Sequence, residues 1–252
     1  MELENIVKQC ELLLRDFPGA ESIRNYLDER ISKESQEKFQ FGYFPNSKNI
    51  NSIISLVGEK ELFNSGLIEN RVLTDYLPVR TVKHSYFENH NLIFPYKDPY
   101  GKVIGIGGRI TNAKASPAPP KYLNTSFAKG RVAFGLSEAK ASILNKNFVI
   151  VVEGQFDCIR MNEVGIHNVV AVGTSAISYY QLAILLRYTD NIVVLFDNDM
   201  AGQVGYERAI KKFDKFAKFT KINLPFGYKD IDEYLKENDA LSLNLFSNHS
   251  IL

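Results

Sequence analysis

Two short and almost wholly apolar runs, each ending in carboxylates, constrain this chain more than any other feature. Residues 149–152 read VIVV and lead into Glu153-Gly154, and residues 192–196 read IVVLF and lead into Asp197-Asn198-Asp199. Runs of this length read as strands buried on both faces of a parallel sheet, and helical-looking segments separate them. From residue 148 the pattern predicts strand 148–152, helix 155–164, strand 168–172, helix 177–188, strand 191–196, helix 202–217 and strand 219–224, a doubly wound α/β unit. Such sheets place ligands outside their carboxyl ends, so Glu153, Asp197 and Asp199 are expected to converge on one rim. Carboxylates gathered without matching bases repel one another. One or two hard cations held together with substrate phosphates resolve that repulsion, so the pattern points to metal-dependent phosphate chemistry.

Charge along the chain adds a second expectation. Net charge is +1, but residues 1–70 carry 8 Lys/Arg against 12 Asp/Glu, residues 71–146 carry 12 against 4, and residues 147–252 carry 10 against 13. A basic segment beside an acidic, metal-binding one suits a phosphate polymer, although a solvated basic surface has the same composition. Cys10 and Cys158 stand far apart without CxxC or Cys/His companions, so neither a disulfide framework nor a zinc site is expected. His84, His90, His167 and His249 have no ligand spacing either. Apolar runs are strand-sized and the first residues carry acids, so no membrane span or signal peptide is expected, and a reducing cytoplasm fits.

The first third reads as a small helical cap, with amphipathic helices at 6–14 and 23–30 split by Pro18-Gly19, and a short helix at 53–56. Strands are expected from Asn91, where 92–95 and 103–110 flank Asp98-Pro99-Tyr100-Gly101 as a hairpin. Gly105, Gly107 and Gly108 are followed by no helix, so a dinucleotide loop is excluded and close approach of a neighbour is expected there instead. Residues 112–120 (NAKASPAPP) read as a mobile connection.

Taken as an ordered set, Glu153-Gly154-Gln155-Phe156-Asp157, Gly173-Thr174-Ser175, Asp197-Asn198-Asp199 and Lys229-Asp230-Ile231-Asp232 resemble the Toprim domain of bacterial-type replicative DNA primases. Upstream, LIFPYKDPYGKVIGIGGR (92–109) and KYLNTSFAKGRVAFG (121–135) resemble the primase-specific region that precedes Toprim. Residues 5–45 resemble the start of the same polymerase core. Overall α+β organisation is implied: a mixed N-terminal subdomain at 1–146, a Toprim domain with a mostly parallel, helix-covered sheet at 147–228, and a short C-terminal segment at 229–252. Departures are Asn89, His90 and Asn91 where the family usually has arginines, Asn198 for the Gly of DGD, and Ile231 for the Pro of DPD. The family's zinc-ribbon and helicase-binding modules have no counterpart in this sequence, which suggests a compact viral or mobile-element core.

The resemblance implies templated joining of ribonucleoside triphosphates on single-stranded DNA with Mg²⁺ or Mn²⁺ and no zinc, in the cytoplasm (the host's, if viral), with a replicative helicase as partner and no membrane. Catalytic roles fall to Glu153, Asp197 and Asp199, with Asp230 and Asp232 completing the metal set and Asp157 supporting it. Glu153 is open between ligand and acid/base, and Asp157, Asp230 and Asp232 also fit helix capping. Nucleotide and template contacts fall to Arg109, Lys121, Asn124, Lys129, Thr174, Lys229 and Arg24. Two rival functions use the same residues: a Toprim phosphodiesterase that shortens nucleic acid, and a non-catalytic single-strand-binding or helicase-adaptor protein.

Overall fold

The structure is a computed structural model that describes residues 2–74, 80–111 and 119–238. It divides into two compact units, the first formed by residues 1–96 and 102–127 and the second by residues 97–101 and 128–252. Most of the connection expected at 112–120, together with His249, lies outside the described residues.

In the first unit, α1 (Glu2–Asp16) buries Ile6, Cys10, Leu13 and Leu14 at helical spacing. It stops ahead of Pro18, which opens a 3₁₀ turn, and α2 (Glu21–Asp28) follows. Next come α3 (Lys33–Lys38), β1 (Gly42–Tyr43), α4 (Asn51–Val57), α5 (Glu59–Asn64) and an antiparallel ribbon of β2 (Ile68–Leu73) with β3 (Arg80–Ser85). Strands β4 (Leu92–Lys97), β5 (Val103–Arg109) and β6 (Tyr122–Asn124) complete a sheet of order β1-β4-β5-β6. This part holds the three expected helices and two more, α3 and α5, and its strands begin at Gly42 rather than Asn91. The expected hairpin forms, its turn closed by the Gly101 amide donating to the Asp98 carbonyl at 3.0 Å. Side chains on Gly105, Gly107 and Gly108 would collide with the Phe127, Phe94 and Phe87 rings, so aromatic packing accounts for these glycines.

The second unit contains α6 (Leu136–Lys146), β7 (Val149–Val152), α7 (Gln155–Glu163), β8 (Val169–Ala171), α8 (Tyr179–Leu185), β9 (Asn191–Val194), α9 (Met200–Phe213), β10 (Lys218–Lys221) and α10 (Ile231–Glu237). Strand order is β10-β9-β7-β8, all parallel, with Ile150 level with both Val169 and Val193. Helix α6 was not anticipated. Its Leu136, Ala139 and Ile143 share one core with Val149, Val151, Val194, Leu185 and Phe213. That packing places the division between units at 127/128, ahead of the 146/147 boundary expected from sequence. Each fully buried Val or Ile in β7 and β9 contributes roughly 1.5–3 kcal/mol. This is enough to hold the two strand ends side by side although both carry acids.

Candidate metal and phosphate site

Because β7 and β9 are neighbours, their carboxyl ends bring the two acidic segments together. The Asp197 amide donates to Glu153 Oε1 at 3.2 Å. Asp199 caps α9, accepting from the Gly202 amide at 2.9 Å, and its carboxylate remains exposed. Gly202 is required here, since a Cβ would lie 2.2 Å from the Asp197 carbonyl. A second close approach occurs at Gly154, where a Cβ would meet Asp157 Oδ2 at 2.4 Å; instead that oxygen accepts the Gly154 amide at 2.9 Å. Asp157 is thus a buried acid in the first turn of α7.

The loop after β10 joins the same rim. Asn198 donates its amide to the Lys229 carbonyl at 2.7 Å and its side-chain Nδ2 to the Tyr228 carbonyl at 3.3 Å. The backbone bond would survive the family's Gly at this position; the side-chain bond to Tyr228 is the link that Asn198 adds. Asp230 caps α10 through the Glu233 amide at 2.8 Å, and Lys229 donates its backbone amide to Glu233 Oε2 at 2.8 Å. Asp232 is held differently. It is buried between Arg160 Nε at 3.1 Å and Lys236 Nζ at 2.9 Å.

Electrostatics follow from this crowding. Burial, and next the charge of Asp197, push Glu153 up to about 7, while Lys229 offsets this only in part. Burial, reinforced by Asp230 and Asp197, raises Asp157 to about 7 as well. Like charges within reach of one another therefore share one rim, and all their donors are hard oxygens, the chemistry that fits a divalent cation such as Mg²⁺. Among the described residues, no three His, Cys, Asp or Glu side chains are drawn together tightly enough to enclose an ion on their own. Substrate phosphates or waters would have to complete the shell, as Mg²⁺ usually requires. Beside the rim, a hollow of about 330 Å³ is lined by Asp197, Asp199, Gln203, Tyr206, Lys221 and Asn223.

Among the predicted contacts in this unit, Lys129 Nζ approaches the Gly173 carbonyl at 3.3 Å, and burial lowers its pKa. Thr174 closes its own turn, donating to the Ala176 carbonyl at 3.0 Å. The helix expected after Gly173-Thr174-Ser175 starts later, at Tyr179, with Ser178 as its cap.

In the first unit, Arg109 is only 5 % exposed, its guanidinium 5.7 Å from the Tyr26 ring and 5.2 Å from the Tyr122 ring. Lys121 is exposed, with Nζ 5.8 Å from the Tyr122 ring. Asn124 accepts the Tyr86 hydroxyl at its carbonyl, at 2.6 Å. Arg24 Nη1 donates to the Leu14 and Phe17 carbonyls at 2.8 and 2.9 Å, so it closes the end of α1. Sequence reading missed Arg160, Lys236, Tyr26 and Tyr122. The i,i+4 spacing of Asp232 and Lys236 was the one signal available for the first pair.

A parallel sheet carrying a Glu at one strand end and Asp-x-Asp at the next defines a Toprim-type unit, and residues 150–235 match the family described as Toprim-like. Residues 12–140 match the family described as DNA primase catalytic core, N-terminal domain, and the chain belongs to the DnaG-type DNA primases. A DNA primase of Aquifex aeolicus is 33 % identical over 247 residues, covering 95 % of this chain and 46 % of that relative. The solved Aquifex aeolicus primase, comprising zinc-binding and RNA polymerase domains, superposes with TM-score 0.77 at 28 % identity, covering 97 % of this chain and 60 % of that one. A DnaG primase catalytic domain bound to single-stranded DNA superposes with TM-score 0.75 at 25 % identity, covering 96 % of this chain and 80 % of that one. The chain spans less than half the length of the curated relatives it matches. Among the described residues no helix is long and apolar enough to cross a membrane.

Proposed function

We propose that this chain is the catalytic core of a primase that joins ribonucleotides into short RNA primers on single-stranded DNA during replication. The observation that carries the reading is the Glu153–Asp197 junction, where buried strands bring carboxylates together closely enough to push Glu153 up to about 7 although Lys229 acts against the shift. Asp197, Asp199, Glu153 and Asp230 are the residues that would hold Mg²⁺ or Mn²⁺. A bound ion would stabilise the attacking 3′-oxygen and the departing pyrophosphate oxygen. In the reaction a 3′-hydroxyl oxygen bonds to the α-phosphorus, the bond from that phosphorus to the bridging oxygen breaks, the hydroxyl proton passes to water, and pyrophosphate leaves.

The protein's own groups divide the remaining work. Asp157 orients the start of α7 and hence Glu153, whereas Asp232, already engaged by Arg160 and Lys236, braces α10 against α7. Lys129 and Lys229 supply positive charge to the triphosphate. Exposed Lys121 and neighbouring Asn124 bind template or nucleotide, with Arg109 stiffening that edge from between two tyrosines. Arg24 is left with its structural role. The related domain bound to single-stranded DNA supports that polymer as template. Ribonucleoside triphosphates, a replicative helicase and a cytoplasmic setting complete the reading.

A direct assay tests it. Purified protein, single-stranded template, ribonucleotides and Mg²⁺ should give short labelled products that vanish in Asp197→Ala/Asp199→Ala. Synthesis unchanged in that variant overturns the site, and nucleic acid shortened rather than extended selects the phosphodiesterase instead.

A further inference from the structure

Two tyrosines at the start of α8 stand apart from the acidic rim and have no role in the chemistry above. Tyr179 is 56 % exposed and Tyr180 is 55 % exposed, an unusual amount of aromatic surface for adjacent residues. Each carries a cation on its ring. Arg131 lies 4.3 Å from the centre of Tyr180 and hydrogen-bonds its hydroxyl at 3.3 Å; Lys212 lies 4.4 Å from the centre of Tyr179. Neither Arg131 nor Lys212 forms an ion pair among the described residues, so the patch is positive as well as aromatic.

Three contacts fix the patch and the loop that leads to it. Ser178 Oγ bonds the Gly130 carbonyl, which fixes the Lys129–Arg131 turn against the start of α8. The Tyr179 ring stands edge-on to buried Phe213 at 5.0 Å, so its base is set in the core while its body stays in solvent. The loop that leads into α8 leaves the carboxyl end of β8, and its Gly173 amide bonds the Glu153 carbonyl at 2.8 Å.

We propose that Tyr179 and Tyr180, with Arg131 and Lys212, form a stacking track for single-stranded nucleic acid running away from the acidic rim. Exposed aromatic rings beside cations that have no carboxylate partner among the described residues suit a strand whose bases are unstacked and whose phosphates are charged; a duplex, with its bases already stacked, gains nothing from the rings. The identity of the occupant rests on the primer-synthesis reading, which makes the strand the single-stranded DNA template.

Fluorescence anisotropy with labelled oligo(dT), oligo(rU) and a blunt DNA duplex tests the track. Tyr179→Ala/Tyr180→Ala is expected to weaken a single strand about ten- to hundredfold and the duplex less than twofold. Tyr179→Phe/Tyr180→Phe, which keeps both rings, is expected to bind within twofold of wild type. Arg131→Gln/Lys212→Gln is expected to lower the slope of log affinity against log salt by about 1.4, near 0.7 for each lost phosphate contact. A larger loss on oligo(dT) than on oligo(rU) is expected, and the reverse order overturns the template as occupant. Wild-type affinity of the alanine pair for both single strands overturns the proposal, as does an equal loss on duplex. Should the alanine pair not fold by circular dichroism, an unchanged salt slope in the Arg131/Lys212 variant overturns it. Primer synthesis absent from the wild type would instead remove the functional reading and leave this binding test standing.

Discussion

Two sets of carboxylates in the second unit are treated in opposite ways. Asp232 is enclosed by Arg160 and Lys236, so its charge is answered from within the protein. Glu153 faces Asp197 and Asp199, and Lys229 acts on it among the described residues without bringing its carboxyl below about 7. Answered charge is a fastener. Carboxylates crowded together, held in place by a core strong enough to tolerate them, form the place where the proposed divalent ion would be held.

Glu153→Gln should sharpen this contrast most. The amide oxygen keeps the bond from the Asp197 amide but removes a repelled charge, so primer synthesis should fall by about a hundredfold or more while the melting temperature rises. A variant that loses activity by melting earlier would break the comparison. Asp232→Asn should do the reverse, costing on the order of 2 kcal/mol in urea unfolding, discounted because Lys236 is partly exposed, and leaving Mg²⁺ affinity within a few-fold. Weaker Mg²⁺ binding without lost stability would place Asp232 among the ligands instead.

A smaller effect concerns pH. Glu153 and Asp157 have folded-state pKa values of about 7, above their unfolded values, so between roughly pH 4 and 7 the folded form holds more protons. Their stabilising contribution is complete below about pH 4 and is lost as pH rises through 7. In chelator, the melting temperature should therefore fall from pH 6 to pH 8 more steeply in wild type than in Glu153→Gln, and Mg²⁺ at pH 8 should restore it. Identical slopes in the two proteins would contradict the assigned crowding. Smallest of all, Asn198→Gly should cost under about 1 kcal/mol through the lost bond to Tyr228, measured by thermal melting.

What was legible in the sequence tracks how strongly each segment is buried. Strands β7 and β9 are apolar throughout, so their positions and the acids at their ends could be read directly. Helix α3 (KESQEK) contains no apolar residue, and the i, i+3, i+7 stripe of α6 passes through the small Ala139 between Leu136 and Ile143, which makes it weak. Ribbon β2–β3 is exposed on most of both faces and lacks alternation. Within the site, the convergence of Glu153 and Asp197 was readable from strand ends. The engagement of Asp232 by Arg160 was not, because the partner comes from 72 residues away. Arg109 illustrates the same limit: its burial depends on Tyr26, on a different element, which no local pattern announces.

The bond from the Asn198 amide to the Lys229 carbonyl makes the stretch between β10 and α10 a measured length of chain. One residue inserted there would have to either break that link or drag Asp230 a step along its path. This connection should consequently resist changes in length far more than in composition, tolerating varied side chains at exposed Phe226 but not an extra residue beside it.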